Sequence, residues 1–218
     1  MKGDAIDIFK TGVYAITPDI DDSDRLASMV EQALSGGVRL FQYRNKVSTR
    51  HKRRLVARRL NDVIESSGGS LIINDDPHLA KEVNARGVHI GREDMDLEAV
   101  RDILGSKKII GVSCYDNLQI ALEMQKRGAD YVAFGAFFPS VSKSIVTPVS
   151  ADILGLASAN GIKIPVVAIG GITLDNAALL LAQGSLALAV INGLFGAVDV
   201  VSRAQEWISF VNLNRIHI

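Results

Sequence analysis

Asp24 to Tyr43 reads DRLASMVEQALSGGVRLFQY, and this stretch holds the unit from which the fold follows. Its first half spaces Leu26, Met29, Val30, Ala33 and Leu34 for an amphipathic helix with one buried face. Gly36 comes next, just past the helix, where a left-handed cap residue costs glycine least. RLFQY (39–43) then reads as a short strand. The succession of helix, glycine and strand recurs, with Gly87, Gly128 and Gly184 standing where Gly36 stands here.

Working outward, strand-like runs appear at VYAIT (13–17), RLFQY (39–43), SLIIN (70–74), GVHI (87–90), IIGVS (109–113), YVAFG (131–135), PVVAIG (165–170) and LALAVIN (186–192). Most are continuously apolar, as expected of parallel strands covered on both faces. Eight such strands alternating with helices in 218 residues fit a single α/β domain. A closed barrel and an open doubly wound sheet both satisfy the right-handed crossover rule. The strand count favours the barrel, and Thr17-Pro18-Asp19-Ile20 after the first strand lacks the glycine-rich dinucleotide fingerprint of the open sheet. The expectation is one (β/α)8, or TIM, barrel over residues 1–218, with about ten residues at the start and about six at the end peripheral.

Lys and Arg together number 24, as do Asp and Glu, so zero net charge gives no general attraction to nucleic acid or to an anionic membrane. Cys114 is the sole cysteine, which excludes an intramolecular disulfide and a thiolate metal cluster. The start, MKGDAIDIFK, lacks a long apolar core, and the most apolar stretch, 177–191, is broken by Gln183, Gly184 and Ser185. A soluble, cytoplasmic protein is expected. The basic run from Arg50 to Arg59 reads as a solvated helix face.

In such a barrel, chemistry belongs where strands run out into the following loops. After the second strand, Gln42, Arg44 and Lys46 alternate and project to one side if the extended conformation persists. Two cations and an amide suit a polyphosphate, though a surface turn opening a basic helix fits as well. After the third strand comes Asn74-Asp75-Asp76-Pro77, with Asp76 as helix cap and Asp75 left without a structural task. Gly91-Arg92-Glu93-Asp94 follows the fourth strand; Asp94 is either a second carboxylate for Mg2+ beside a polyphosphate or another helix cap. Ser113 ends the fifth strand and could meet a ligand or cap the next helix. The sixth strand leads to Ser140, Ser142 and Lys143 in a polar loop. Gly170-Gly171 and Ile191-Asn192-Gly193 end the last two strands, where backbone amides often bind phosphate. Histidines 51, 78, 89 and 217 lack ligand spacing and are assigned no chemistry.

Taken in order, YAIT, QYRNK, INDD, GVHIGRED, GVSCY, GADYVAFGAFFPSVSK, VVAIGGIT and AVING resemble the thiamine-phosphate synthase family from Tyr14 to about Gly193. The resemblance implies a transferase of thiamine biosynthesis that joins hydroxymethylpyrimidine diphosphate to hydroxyethylthiazole phosphate by a dissociative route. It further implies that Gln42, Arg44, Lys46, Asn74, Ser113 and Lys143 hold the pyrimidine diphosphate, with Arg44, Lys46, Ser113 and Lys143 as the catalytic set. Asp75 and Asp94 would ligate Mg2+, and Ser140, Ser142, Gly171, Ile191 and Asn192 would meet the thiazole phosphate.

Departures from the family pattern are Tyr43 for Leu, Arg92 for Gln, Tyr115 for His, Asn192 for Ser, and Ser140 with Ser142 for a Thr pair. Asn192 bears on the thiazole half. A related thiazole tautomerase would not need the diphosphate and metal set, and a non-catalytic phosphate-binding barrel would bind without turnover. Expected partners are small phosphorylated molecules, with neither nucleic acid nor membrane; a homo-oligomer is compatible with the sequence.

Overall fold

The computed structural model describes residues 7–91, 95–139 and 148–215. Eight parallel strands close into a barrel in sequence order: β1 (Val13–Ile16), β2 (Leu40–Tyr43), β3 (Ser70–Asn74), β4 (Gly87–Ile90), β5 (Ile109–Tyr115), β6 (Tyr131–Phe134), β7 (Val166–Ile169) and β8 (Ala187–Val190). β8 returns to β1 with Val13 opposite Leu188, which leaves no free sheet edge. The barrel expectation holds; β3 and β4 match their apolar runs, β5 extends past its run to Tyr115, and the other strands are shorter than theirs.

Helices α1 (Ser23–Ser35), α2 (Arg50–Ser66), α3 (Pro77–Glu82), α4 (Leu97–Leu104), α5 (Leu118–Arg127), α6 (Asp152–Ala159), α7 (Ala177–Ala182), α8 (Asn192–Phe195) and α9 (Val200–Asn214) connect or follow the strands. α1 starts where the Asp22 carboxylate accepts from the amides of Asp24 and Arg25. It buries Leu26, Ala27, Val30, Ala33 and Leu34, so Ala27 takes a core place and Met29 is only partly covered. Of the α2 cations Arg50, Arg54, Arg58 and Arg59 are exposed and Arg53 is half-buried; Lys52 pairs with Asp21, Arg54 with Glu82 at 3.3 Å and Arg59 with Asp24. Among the described residues no helix is long and apolar enough to cross a membrane.

Two glycines have a different task from the one expected. Gly128 (φ 99°) and Gly184 (φ 98°) are left-handed, but Gly36 has φ −77°, and Gly37 at φ 103° makes the turn. A Cβ on Gly36 would lie 2.3 Å from the Ala204 Cβ, so that glycine lets α1 and α9 approach. Gly87 is the first residue of β4, where a Cβ would lie 2.0 Å from the Ile109 carbonyl oxygen; Asn84 (φ 55°) supplies the left-handed residue after α3.

Strand alternation separates two cores. Outward residues such as Val13, Phe41, Val88 and Leu188 pack under the helices, while Tyr14, Leu40, Ile72, Ile109, Tyr131 and Val167 fill the barrel. Phe9, within the stretch expected to be peripheral, is fully buried, with its ring centroid 4.9 Å from that of Tyr131. Arg215 seals the same end by donating to the carbonyls of Phe9, Lys10 and Leu186.

Candidate active site

At the carboxyl ends of the strands, inward alternation aims Gln42, Asn74, His89 and Ser113 toward the barrel mouth. The β2 extension stops at Tyr43. Asn45 then turns the chain, its side-chain oxygen accepting from the amides of Val47 (3.1 Å) and Ser48 (2.8 Å). Gln42, Arg44 and Lys46 therefore do not share one straight edge. Lys46 instead reaches across to β3, where its Nζ lies 3.6 Å from Asp75 Oδ2.

The loop after β1 fixes this segment. Thr17 Oγ1 accepts from the Arg44 amide at 3.0 Å and donates to the Arg44 carbonyl at 3.1 Å. Asp19 divides its carboxylate between the Arg44 guanidinium and the Lys46 amide, the latter at 2.9 Å. Asp21 accepts from Lys52 Nζ at 2.6 Å and Ser48 Oγ at 2.9 Å, and these bonds hold its carboxyl below the usual range, Lys52 contributing most. Asp19 is not among the site residues expected from the sequence. Its signal was an acid following the first strand, read there only as part of a non-glycine loop.

Asp75 takes the left-handed conformation (φ 62°) and its amide donates to the His89 carbonyl at 2.8 Å. Few residues other than glycine, asparagine and aspartate accept that backbone readily. Asp76 caps α3 as expected, accepting from Leu79 N at 2.9 Å. Asp96 caps α4 and Asn117 caps α5, so neither Asp94 nor Ser113 is needed for those helix starts. Asp94, Ser140, Ser142 and Lys143 lie outside the described residues. Among the described residues no group of three or more His, Cys, Asp or Glu side chains could hold a metal; Asp75 offers one hard oxygen ligand.

A polar chain that is not among the expected site residues as a whole runs from the mouth into the barrel interior. Gln42 Nε2 donates to the Tyr14 hydroxyl (2.8 Å), Tyr14 bonds Tyr131 (3.0 Å), Tyr131 bonds His89 Nδ1 (2.9 Å), and His89 Nε2 bonds Ser113 Oγ (2.9 Å). Burial pushes both phenols well above their ordinary value and keeps them protonated. The legible signal was three polar rings at inward positions of otherwise apolar strands.

On the opposite side, Gly170 (φ 107°) and Gly171 (φ 60°) pass directly beneath the loop after β6; a Cβ on Gly171 would meet the Pro139 carbonyl oxygen at 2.3 Å. Asn176 Nδ2 donates to the Gly171 carbonyl at 3.0 Å. The short helix α8 begins at the end of β8, with Ile191 packed toward the inner core and Asn192 exposed. Loops after the last two strands together with a short extra helix form the usual phosphate pocket of these barrels.

The thiamine monophosphate synthase family model matches residues 13–194. A thiamine-phosphate synthase of Nitrosospira multiformis is 47% identical over 207 residues, covering 95% of this chain and 88% of the relative. One from Nitrosomonas eutropha is 46% identical over 197 residues, covering 90% and 92%. The solved thiamine phosphate pyrophosphorylase of Pyrococcus furiosus superposes with a TM-score of 0.82 at 32% identity, covering 94% of this chain and 98% of that one. Matched along nearly all of its barrel, the chain belongs to the thiamine monophosphate synthase family.

Proposed function

We propose that this protein joins 4-amino-2-methyl-5-hydroxymethylpyrimidine diphosphate to 4-methyl-5-hydroxyethylthiazole phosphate, giving thiamine phosphate and diphosphate. The observation that carries the reading is the Lys46–Asp75 pair across the ends of β2 and β3, with Arg44 held after β2 by Asp19, in a chain of this family. Arg44 and Lys46 bind the diphosphate, the first through a planar fork and the second as a mobile point charge. Gln42, Asn74 and Ser113 orient the pyrimidine, and Lys143 joins the diphosphate contacts.

The bond between the exocyclic carbon and the diphosphate oxygen breaks with its electron pair leaving on the diphosphate. The thiazole nitrogen lone pair then forms the new carbon–nitrogen bond, so no protein nucleophile is consumed. Negative charge grows on the leaving group, and cations already in place stabilise it without reorganising.

Asp75 and Asp94 would hold Mg2+. The chemistry of Asp75 fits: the Lys46–Asp75 pair is long, with side chains 59% and 33% exposed, and such pairs contribute only about 0–1 kcal/mol. Loss of the Lys46 contact on cation binding therefore costs little. When bound, Mg2+ would supply charge neutralisation on the departing diphosphate. The thiazole phosphate lies on Gly171, Ile191 and Asn192, with Ser140 and Ser142 from the loop after β6. A cytoplasmic location fits substrates of this kind.

The test is diphosphate release with both substrates, with and without Mg2+, in the wild type and Asp75→Asn. Asparagine tolerates the left-handed backbone, so the fold survives while the charge is lost. Release requiring both substrates and Mg2+, with kcat lowered about a hundredfold in the variant, is expected. Thiazole isomerisation without coupling would establish an isomerase instead, and binding without release a non-catalytic barrel.

A further inference from the structure

The polar chain through the barrel connects two side chains that the proposed function places on the pyrimidine, and it has a direction. Tyr14 is 1% exposed, and its hydroxyl lies between Gln42 and Tyr131. With the Gln42 amide donating to Tyr14, the single Tyr14 proton has Tyr131 as its acceptor, because an unmade bond on a buried hydroxyl is costly. Tyr131, fully buried, then donates to His89 Nδ1. An imidazole accepting at Nδ1 is the neutral Nε2–H tautomer, and Nε2 donates to Ser113 Oγ. The Ser113 proton is thereby left to point away from His89.

The surroundings are built around this chain. Gly111 has no side chain where the Tyr131 ring lies: a Cβ there would be 1.9 Å from Cζ and 2.4 Å from the hydroxyl. The His89 and Tyr131 rings stack at 5.4 Å, and Phe9 closes the far side of Tyr131 at 4.9 Å. The five side chains come from five different strands, so the closed barrel fixes their relative positions.

We propose that Tyr14, Tyr131 and His89 are positioning residues that carry hydrogen-bond polarity from Gln42 to Ser113, so that Ser113 meets the substrate as a donor. They do not touch the reacting atoms. This rests on the reading of Ser113 as a pyrimidine contact, whereas the tautomer it requires is a property of the free protein.

The experiment has two arms. In 15N-histidine protein without substrates, long-range proton–nitrogen spectra of wild type, His89→Asn and Tyr131→Phe assign His89 and report its tautomer. A single Nε2–H form in wild type, giving way to a mixture or to Nδ1–H in Tyr131→Phe, is expected. A cationic or Nδ1–H His89 in wild type overturns the proposal. In the second arm, Tyr131→Phe raises KM for the pyrimidine diphosphate roughly fivefold to tenfold, the scale of one neutral hydrogen bond, and leaves KM for the thiazole phosphate unchanged. In a Ser113→Ala background the same substitution has no further effect on KM. Full additivity of the two substitutions overturns the role through Ser113. Absence of coupling in the wild type would count against the proposed function alone, since the tautomer is read without substrates.

Discussion

Gly111→Ala isolates the packing inside the barrel. The added methyl would lie 1.9 Å from Tyr131 Cζ and 2.2 Å from Cε1, whereas carbon atoms settle at roughly 3.5–4 Å. The ring must retreat by about 1.5–2 Å, but Phe9 at 4.9 Å and His89 at 5.4 Å block it. Overpacking of this kind costs about 1–3 kcal/mol, and its upper end applies where neighbours cannot yield. Loss of the Tyr131 bonds to Tyr14 and His89 adds about 1 kcal/mol. A total of about 4 kcal/mol, at roughly 2–4 °C per kcal/mol for a chain of this size, lowers Tm by about 8–16 °C. Gly128→Ala is the comparison: its Cβ has nothing within 4 Å, and only the left-handed backbone (φ 99°) opposes it, costing about 1–2 kcal/mol. Thermal unfolding followed by circular dichroism measures both. If Gly111→Ala melts at or above Gly128→Ala, the barrel interior around Tyr131 is not close-packed and the reasoning fails.

Asp19→Ala removes the acceptor for both Arg44 and the Lys46 amide and should lower kcat/KM for the pyrimidine diphosphate about tenfold or more. Asp19→Asn keeps an oxygen for the Lys46 amide and should lose less; equal activity of wild type and Asp19→Ala would refute a positioning role. Burial raises the Cys114 thiol and the Tyr43 phenol to about 12, and both barrel tyrosines rise in the same direction. Because these folded values exceed the ordinary 9.0 and 10.0, the stability they give is complete below pH 9 and is lost as pH rises toward the folded values. Urea unfolding between pH 8 and 11 should show that decline, and a flat profile would contradict it. Arg101 donates to the carbonyls of Gly105, Lys108 and Gly128 and to Asp130 Oδ2, joining α4, β5 and β6; Arg101→Ala should cost about 2–3 kcal/mol in chemical unfolding. A change under about 0.5 kcal/mol, ordinary for a surface substitution, would show that those contacts contribute little.

What the amino-acid sequence determined by itself was local. Continuous apolar runs imply strands covered on both faces, and their alternation with amphipathic helices implies a βα repeat; eight repeats close a barrel whose rim residues can be named in advance. Asp76 capping α3 was legible for the same reason, since a cap needs only its own turn. Tertiary structure decided what depends on neighbours remote in the chain. Gly36 and Gly87 are glycines because Ala204 and Ile109 come close, not because of their own dihedral angles. Lys46 meets Asp75, and Asp19 clamps Arg44, only because parallel strands place their loops side by side. His89, unremarkable in GVHI, gains its meaning from Tyr131 forty-two residues away and Ser113 twenty-four away. Periodicity tells which side chains point inward, but a closed barrel alone determines which of them meet across its interior.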